Sequence, residues 1–412
     1  MKKVFKVLAL VLALSMVIAF AACGGNTEET TVAGDETTAA EATGDLAGVK
    51  MGLICLHDEN STYDKNFIDA AKAAQAELGF ELVIKTNIPE DDSCAQAAEE
   101  LAEDGCNVIF ANSFGHETYV MTVAEDYPEV EFCHATGTNA KTAGIANFHN
   151  AFASIYEGRY LAGIAAGMKI NEMIEEGKFT ADQAKMGYVG AYPYAEVISG
   201  YTSFYLGAKS VCPTVTMSVK YTNSWFDIAL EKEAALALIA DGCILVSQHA
   251  DSEGAPKACE EKGVPNVAYN ISTINLGPTT ALISSKIDWT PYFKLIVESV
   301  AADKEIPADW CGTIATGSVA LTELNAEVAA EGTQEAIDAA LEGLKAGTIK
   351  VFDTATFTYE GAELTSYLAD VIPDEAFEKD TEVVADGAFN ESDVEGMRSA
   401  PYFDLIIDGI TA

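Results

Sequence analysis

The feature that most constrains the fold is an alternation of short apolar strands with amphipathic helices, which runs along the chain twice. In the first round, strands VKMGLICL (49–56) and NVIFANS (107–113) alternate with helical stretches such as NFIDAAKAAQAELG (66–79). The second round repeats the pattern with strands KMGYVGAY (185–192) and CILVSQHA (243–250). The apolar period switches between 2 and 3.6 residues, as in βαβ units. The sequence therefore predicts an α/β protein with two doubly wound parallel-sheet lobes and a cleft between them.

This pattern predicts how the chain divides into lobes. Residues 48–150 form the first part of lobe 1, and residues 151–285 form lobe 2. Residues 286–412 are expected to cross back between the lobes and complete lobe 1. This last part is less regular, and the segment TIKVFDTATFTY (348–359) is its most strand-like stretch.

The amino terminus predicts export and a lipid anchor. Residues 1–22 combine early lysines with an apolar run that is short for a transmembrane span, so they are typical of a signal peptide. The small residues before Cys23 predict lipid attachment at that cysteine; the alternative is an ordinary cleaved signal with a chance cysteine. Residues 23–47 are acidic, rich in Thr and Ala, and predict a disordered tether. The expected location is the outer face of a bacterial cytoplasmic membrane.

Charge and cysteine spacing exclude several classes of function. The chain has 24 Lys plus Arg against 64 Asp plus Glu, a net charge of −40. It therefore lacks the basic stripe that a nucleic-acid-binding protein needs, and ligands rich in phosphate or carboxylate are disfavoured. The cysteines after Cys23 form no CxxC motif and lie in apolar runs, which favours buried free thiols over disulfides or metal ligands. No cofactor is expected.

The loops at the carboxyl ends of the strands predict where a ligand binds. These loops carry aromatic and uncharged polar side chains, a composition that suits a flat neutral ring containing nitrogen; a pyranose that stacks on Trp is the alternative. Trp225, Phe226 and Phe67 are each also compatible with a packing role. The residues predicted to bind ligand are Tyr63, Asn66, Phe67, Ser113, Phe114, Gly115, Tyr192, Trp225, His249, Asp251, Asn270 and Trp289.

Two segments invite an enzymatic interpretation. HADSEG contains His249, Asp251 and Ser252, but three residues so close in sequence cannot converge as a hydrolytic triad, and the chain has no GxSxG motif. Asp251 or Ser252 is equally suited to capping the following helix. HDENSTYD supplies a carboxylate cluster that a nucleoside hydrolase would need. The sequence nevertheless predicts a binding protein that neither makes nor breaks a covalent bond.

Several motifs resemble the basic membrane protein family of lipid-anchored receptors for ABC importers. They are collinear from about residue 49 to 300 and include EGRYLAGIAAG, GYVGAYPYAEVISGYTSFYLGAKSV, YTNSWFD, VSQHADS and KGVPNVAYN. The resemblance implies the type I periplasmic-binding-protein fold, with a hinged cleft that closes on its ligand. It also implies capture of a purine nucleoside or base and delivery to membrane permease subunits.

The resemblance further implies roles for individual residues. The base is expected between an aromatic ring of the first loop, Tyr63 or Phe67, and Trp225 of lobe 2. The Asp and Lys that hold ribose in nucleoside receptors correspond here to Asn270 and Ile287. These departures favour a free base such as adenine or hypoxanthine over a nucleoside. A receptor for a sugar or a signalling molecule, or the sensory part of a signalling system, remains an alternative.

Overall fold

A computed structural model describes residues 46–371, 379–392 and 397–412 of the chain. The predicted signal peptide and Cys23 lie outside the described residues, as does the predicted tether except for residues 46 and 47, which belong to a 3-10 turn over Leu46–Gly48. Nowhere in these three ranges is a helix both long and apolar enough to cross a lipid bilayer. All described cysteines are free thiols, and all but Cys311 are buried.

The first α/β round folds as predicted. Each predicted strand and helix of this round is present, and the structure adds a strand and a short helix before residue 155. The elements are β1 (Lys50–Ile54), α1 (Thr62–Leu78), β2 (Glu81–Lys85), α2 (Asp92–Glu103), β3 (Val108–Ala111), α3 (Glu117–Asp126), β4 (Glu131–Ala135), α4 (Ala140–Ala143) and β5 (Phe148–Ala153).

The second round has the same construction. Its elements are α5 (Ile155–Glu175), β6 (Lys185–Gly190), α6 (Ala195–Val211), β7 (Thr216–Tyr221), α7 (Ile228–Ala240), β8 (Leu245–Gln248), α8 (Gly254–Lys262), β9 (Asn266–Tyr269) and β10 (Ala281–Ile287). The predicted boundary of lobe 2 at residue 285 falls inside β10, so this lobe extends to the end of that strand.

The C-terminal part is shared between the two lobes, rather than completing lobe 1 alone as predicted. Its elements are α9 (Thr290–Ala301), β11 (Asp309–Gly312), β12 (Val319–Leu321), α10 (Thr333–Lys345), β13 (Leu368–Ala369), β14 (Thr381–Glu382), β15 (Val384–Ala385), β16 (Ala388–Phe389) and β17 (Ile410–Thr411). Helix α9 packs on α1, and β11 pairs with β5, in lobe 1. Helix α10 packs on α5, whereas β12 and β17 pair with β10 and β7 in lobe 2.

The strand order shows that the two lobes share one topology. The first sheet has the order β11-β5-β4-β3-β1-β2 and the second β12-β10-β9-β8-β6-β7-β17. Among these pairs only β12 with β10 is antiparallel. Central strands such as β3 and β8 are buried along their whole length, because helices cover both faces of a parallel sheet. The carboxyl ends of both sets of strands carry the loops considered below.

Two local features depend on tertiary packing. Gly163 and Gly167 of α5 pack against helix α6. A Cβ at Gly163 would lie 2.1 Å from Phe204 O, so only glycine permits this approach. The strand-like segment 348–359 forms turns, because its apolar residues pack in an aromatic cluster instead of a sheet; Phe352 stacks on Phe403 at 4.4 Å.

Candidate functional site

A cavity of about 380 Å³, a volume that includes open solvent at its mouth, lies between the lobes at the carboxyl ends of the strands. Loops after β1, β3 and β4 form its lobe 1 side, and loops after β6, β7 and β8 form its lobe 2 side. This is the position at which doubly wound sheets bind ligands. The cavity is lined by Leu56, His57, Tyr63, Asp64, Ser113, Phe114, Thr136, Glu196, Trp225, His249 and Asp251.

Half of the residues predicted to bind ligand line this cavity. They are Tyr63, Ser113, Phe114, Trp225, His249 and Asp251. The other six, which do not line this cavity, are Asn66, Phe67, Gly115, Tyr192, Asn270 and Trp289. The lining residues that were not predicted are Leu56, His57, Asp64, Thr136 and Glu196.

Phe67 and Trp289 belong to the hydrophobic core. Their rings stack at 4.5 Å, and Phe67 in turn packs edge-on against Tyr63 at 4.8 Å. Both are buried behind Tyr63, which alone of the three lines the cavity. Of the two first-loop aromatics proposed from the resemblance, Tyr63 therefore has the position needed to contact a ligand.

The other predicted residues outside the wall support residues on it. Asn66 donates to Ile287 O at 2.8 Å and so joins α1 of lobe 1 to the end of β10. The Gly115 N–H donates to Glu90 Oε1 at 2.8 Å, and the Ser113 hydroxyl donates to the same oxygen at 2.6 Å. Glu90 thereby fixes the loop that carries Phe114.

A ladder of aromatic rings forms the lobe 2 side of the mouth. Tyr192 stacks on Tyr194 with ring centroids 5.2 Å apart, and it packs edge-on against Trp225 at 5.1 Å. Tyr194 also meets Phe114 of lobe 1 at 5.9 Å. Tyr192 thus packs against Trp225 without lining the cavity, whereas Phe114 lies on the rim of the cavity.

Local backbone chemistry explains why Trp225 stands on a strand-to-helix loop. Asn223 has a φ of 55°, a left-handed conformation that Asn tolerates better than most residues. Asp227 caps α7, because its Oδ1 accepts from the backbone N–H groups of Ala229 and Leu230 at 2.9 Å. The two residues turn the chain sharply on either side of Trp225 and leave its ring at the cavity.

Asp64 is the buried carboxyl group of the lobe 1 side. It accepts hydrogen bonds from Asn112 Nδ2 at 2.8 Å and from the His57 backbone N–H at 3.2 Å. Burial alone would raise the pKa of Asp64, but these bonds and the imidazole of His57 outweigh burial and hold it below its ordinary value. In the sequence, Asp64 belongs to the same acidic segment as Asp58 and Glu59. Only the fold shows that Asp64 is buried at the cavity and that these two neighbours are not. Asp58 and Glu59 face solvent, and Glu59 pairs with Lys72.

Asp251 joins the two lobes and faces the cavity. Its backbone oxygen accepts from the N–H of Thr62 at 2.8 Å and from the Thr62 hydroxyl at 3.0 Å, so the lobes touch directly here. Its Oδ1 accepts from Asn270 Nδ2 at 3.2 Å. Burial, and then the nearby Glu231, Asp64 and Glu196, raise the pKa of Asp251 well above its usual range.

The remaining polar wall groups are hydroxyls and imidazoles. Ser113 and Thr136 follow β3 and β4 of lobe 1, and His249 follows β8 of lobe 2. Glu196 lies 3.4 Å from His249 Nε2. These polar groups surround the three aromatic rings of Tyr63, Phe114 and Trp225. Within the described ranges, no three His, Cys, Asp or Glu side chains are arranged to hold a metal ion.

Comparison with known proteins agrees with this architecture. Residues 55–351, well over half of the chain, match the family described as ABC transporter substrate-binding protein PnrA-like. The chain is 34% identical over 250 residues to a "Purine-binding protein" of Brucella abortus, covering 60% of this chain and 67% of that protein. It is 36% identical over 234 residues to a "Putative ABC transporter glucose-binding protein" of Haloferax volcanii, covering 57% of this chain but only 56% of that relative.

A solved structure supports the fold. An ABC transporter solute-binding protein from Conexibacter woesei superposes with a TM-score of 0.61 at 20% identity, covering 73% of this chain and 98% of the other. The two-lobed parallel-sheet architecture, with its cleft at the carboxyl ends of the strands, is therefore that of the periplasmic binding proteins. The family match, which includes the cavity loops, shows that the chain belongs to the PnrA-like family of ABC transporter substrate-binding proteins.

Proposed function

We propose that this protein binds a purine base in the interlobe cavity and delivers it to the permease of an ABC importer. The supporting observation is the cavity wall, where the rings of Tyr63, Phe114 and Trp225 accompany hydroxyl, imidazole and carboxyl groups. A purine offers flat faces for such rings, and stacking contributes roughly 1–3 kcal/mol per base. The similarity to the Brucella purine-binding protein supports the same ligand class.

The acidic wall favours a base whose edge carries N–H groups. Asp64 has a lowered pKa and presents an acceptor, and Glu196 offers a second carboxyl group. A phosphate group would meet these carboxyl groups without a compensating lysine or arginine on the wall. Adenine, hypoxanthine and guanine are therefore better candidates than any nucleotide. Asn270 and Ile287, which stand where nucleoside receptors hold ribose, favour the base over the nucleoside.

A sugar is the second candidate. The Haloferax relative is named for glucose binding, and carboxyl groups beside a tryptophan are typical of pyranose sites. The stacking surfaces favour one of the two ligands. A base is flat and aromatic on both faces, so it can stack on the rings of both lobes. Three aromatic residues on the wall, from both lobes, therefore favour the base.

Calorimetric titration tests the proposal directly. The purified protein is first unfolded and refolded to remove any bound ligand, then titrated with adenine, hypoxanthine, guanine, adenosine, inosine, AMP and glucose. Binding of one base per protein, with the nucleoside weaker and AMP weaker still, is the expected result. Binding of glucose alone would replace the purine with a sugar. Heat from none of these compounds would reject the ligand class but not the receptor fold.

The remaining expectations concern place and mechanism. We infer that the mature chain is held at the outer face of the cytoplasmic membrane by lipid on Cys23 and closes its lobes around the ligand. Metabolic labelling with a fatty acid, compared between the wild type and Cys23→Ala, tests the anchor. Incubation with nucleosides should release no ribose, because the family role is binding and not turnover. Released ribose would favour a hydrolase instead.

A further inference from the structure

Arg159 is a buried cation directly behind the cavity wall. It lies on α5 of lobe 2, with only 1% of its surface exposed, and is one of two arginines in a chain with a net charge of −40. Within the described ranges, no carboxylate lies close enough to form an ion pair with it. A buried charge without an acidic partner is costly, so its position needs an explanation.

The guanidinium is held by neutral acceptors. Its Nη1 donates to the Tyr188 hydroxyl at 2.7 Å and to Gln248 O at 2.8 Å. Its plane lies over the ring of Tyr269, with Cζ 3.7 Å from the ring centroid, a favourable cation–π arrangement. The remaining contact joins Nη2 to Nδ1 of His249 at 3.1 Å, and His249 lines the cavity.

This last contact fixes the chemistry of His249. A guanidinium has only donors, so Nδ1 of His249 must accept and cannot carry a proton. The neutral imidazole then has its hydrogen on Nε2, the nitrogen that lies 3.4 Å from Glu196 Oε1 on the cavity wall. We propose that Arg159 is a positioning residue that holds His249 as the neutral Nε2–H tautomer and thereby selects ligands that present a hydrogen-bond acceptor to His249.

The surroundings of His249 are consistent with a neutral ring. Burial and then Arg159 lower its pKa, whereas Glu196 acts in the opposite direction. The other groups near the ring are Tyr269 at 5.2 Å and Trp225 at 6.5 Å between ring centroids. Burial raises the pKa of Tyr269 and Tyr188, so neither phenol adds a charge at neutral pH. Without Arg159, the neighbouring carboxyl group of Glu196 would favour protonation of the imidazole.

The selection of ligand rests on the proposed function, but the tautomer does not, so the test has two separate measurements. Nitrogen-15 NMR of histidine-labelled protein reports which ring nitrogen carries hydrogen, and His249→Asn identifies the signals. In the wild type, His249 should show one protonated and one unprotonated nitrogen, unchanged from about pH 5.5 to 8. In Arg159→Met the ring should titrate within that interval.

The second measurement is adenine affinity over the same pH interval. Loss of the ordered donor should weaken binding by roughly 3- to 30-fold in Arg159→Met. Arg398→Met is the matched control, because Arg398 donates to Ala400 O and Pro401 O and does not line the cavity. It should leave both measurements unchanged. Wild-type NMR signals in folded Arg159→Met would overturn the proposal, whatever the affinity shows.

A second variant keeps the test decisive if Arg159→Met does not fold. A Cβ at Gly200 on α6 would lie 3.2 Å from Arg159 Nε and 3.3 Å from His249 Nδ1, so in Gly200→Ala these two side chains must shift by a few tenths of an ångström, while the substitution favours the helix. It should shift the His249 signals toward those of a titrating ring, and unaltered signals would contradict the proposal. If adenine does not bind the wild type, the ligand class fails, yet the NMR result still decides the role of Arg159.

Discussion

The two lobes use one topology to hold their ligand loops in two different ways. Strand orders β2-β1-β3-β4-β5 and β7-β6-β8-β9-β10 are equivalent, and both sets of loops meet at the cavity. In lobe 1 the loops are fixed by a buried polar network. In lobe 2 they are fixed by stacked aromatic rings and by buried ionisable side chains. Topology therefore sets where a ligand can bind, and the side chains beneath the loops set how rigid that place is.

Glu117 is the centre of the lobe 1 network. Its carboxyl group accepts from the backbone N–H groups of Thr138 and Asn139 at 2.8 Å, from Asn139 Nδ2 at 2.7 Å and from Asn150 Nδ2 at 3.1 Å. His134 links this region to the cavity, since its Nε2 lies 2.6 Å from Ser113 O. One buried carboxyl group thus fixes the loop that carries Thr136 and, through its neighbours, the loop that carries Phe114.

Lobe 2 relies on Glu231 in a comparable but smaller arrangement. Its Oε1 accepts from the Asp227 N–H at 3.1 Å and its Oε2 from the Ser252 N–H at 3.0 Å. It therefore ties the Trp225 loop to the Asp251 loop. Glu231 accepts these two hydrogen bonds, whereas Glu117 accepts four. The aromatic ladder of Tyr192, Tyr194 and Trp225 also holds the lobe 2 loops in place.

The largest expected effect is on lobe 1 stability. Glu117→Ala leaves several buried donors without an acceptor and should lower the free energy of unfolding by about 3–5 kcal/mol. Urea denaturation measures the change. Glu125→Ala, an exposed position on the same helix, should cost little and serves as the control. Equal losses in the two variants would show that the network does not hold lobe 1.

The next effect is a pH dependence that belongs to lobe 2. Burial raises the pKa of Glu231 from 4.5 to about 7. The contribution of Glu231 to the free energy of unfolding is therefore full below about pH 4.5 and is lost as pH rises through about 7. The change is roughly 3 kcal/mol, at 1.36 kcal/mol per pKa unit. In Glu231→Gln, the free energy of unfolding should not show this loss between pH 5 and pH 8.

The comparison of Glu231→Gln with wild type isolates one group. Asp251 and Glu391 also have raised pKa values, but they are present in both proteins. Glu233→Gln, exposed on the same helix, should retain the wild-type slope. If the free energy of unfolding of Glu231→Gln changed with pH as it does in the wild type, Glu231 would not be the source of the pH dependence of lobe 2.

A smaller effect concerns affinity and leaves the fold intact. Trp225→Ala removes one stacking face and should weaken adenine binding by roughly 5- to 150-fold, the equivalent of about 1–3 kcal/mol. Trp225→Phe keeps a face and should lose less. Trp310→Ala is the control, since Trp310 packs on Tyr292 in lobe 1, away from the cavity. Calorimetry that shows wild-type affinity in Trp225→Ala would assign this side chain to packing alone.

The smallest effect lies where the lobes meet at the rim. Phe114 and Tyr194 are both nearly half exposed, and their rings lie 5.9 Å apart across the mouth. Each alanine substitution should weaken adenine binding by only about 2- to 5-fold, with a coupling of about 0.5–1 kcal/mol in the double-mutant cycle. Strict additivity would indicate that the two rings do not act together when ligand is bound.

The sequence by itself determined the lobes and their loops. Apolar periods of 2 and 3.6 identified strands of both sheets, among them β1, β3, β6 and β8, since burial on both faces leaves a strong local signal. The same loops that follow these strands form the cavity, and six predicted residues lie on its wall. The family resemblance was also readable, because its motifs are collinear along one chain.

Only the tertiary structure decided which residues of those loops meet. Asp64 and Glu196 carry no local signal that distinguishes them from the many exposed acids of this chain, and Phe67 and Trp289 resemble ligand aromatics until the core covers them. The C-terminal elements pair with both sheets, a choice made by long-range contacts and not by periodicity. Burial also raises the pKa of Asp251 and Glu231, so the fold controls the charge of these two acids, which no sequence pattern can reveal.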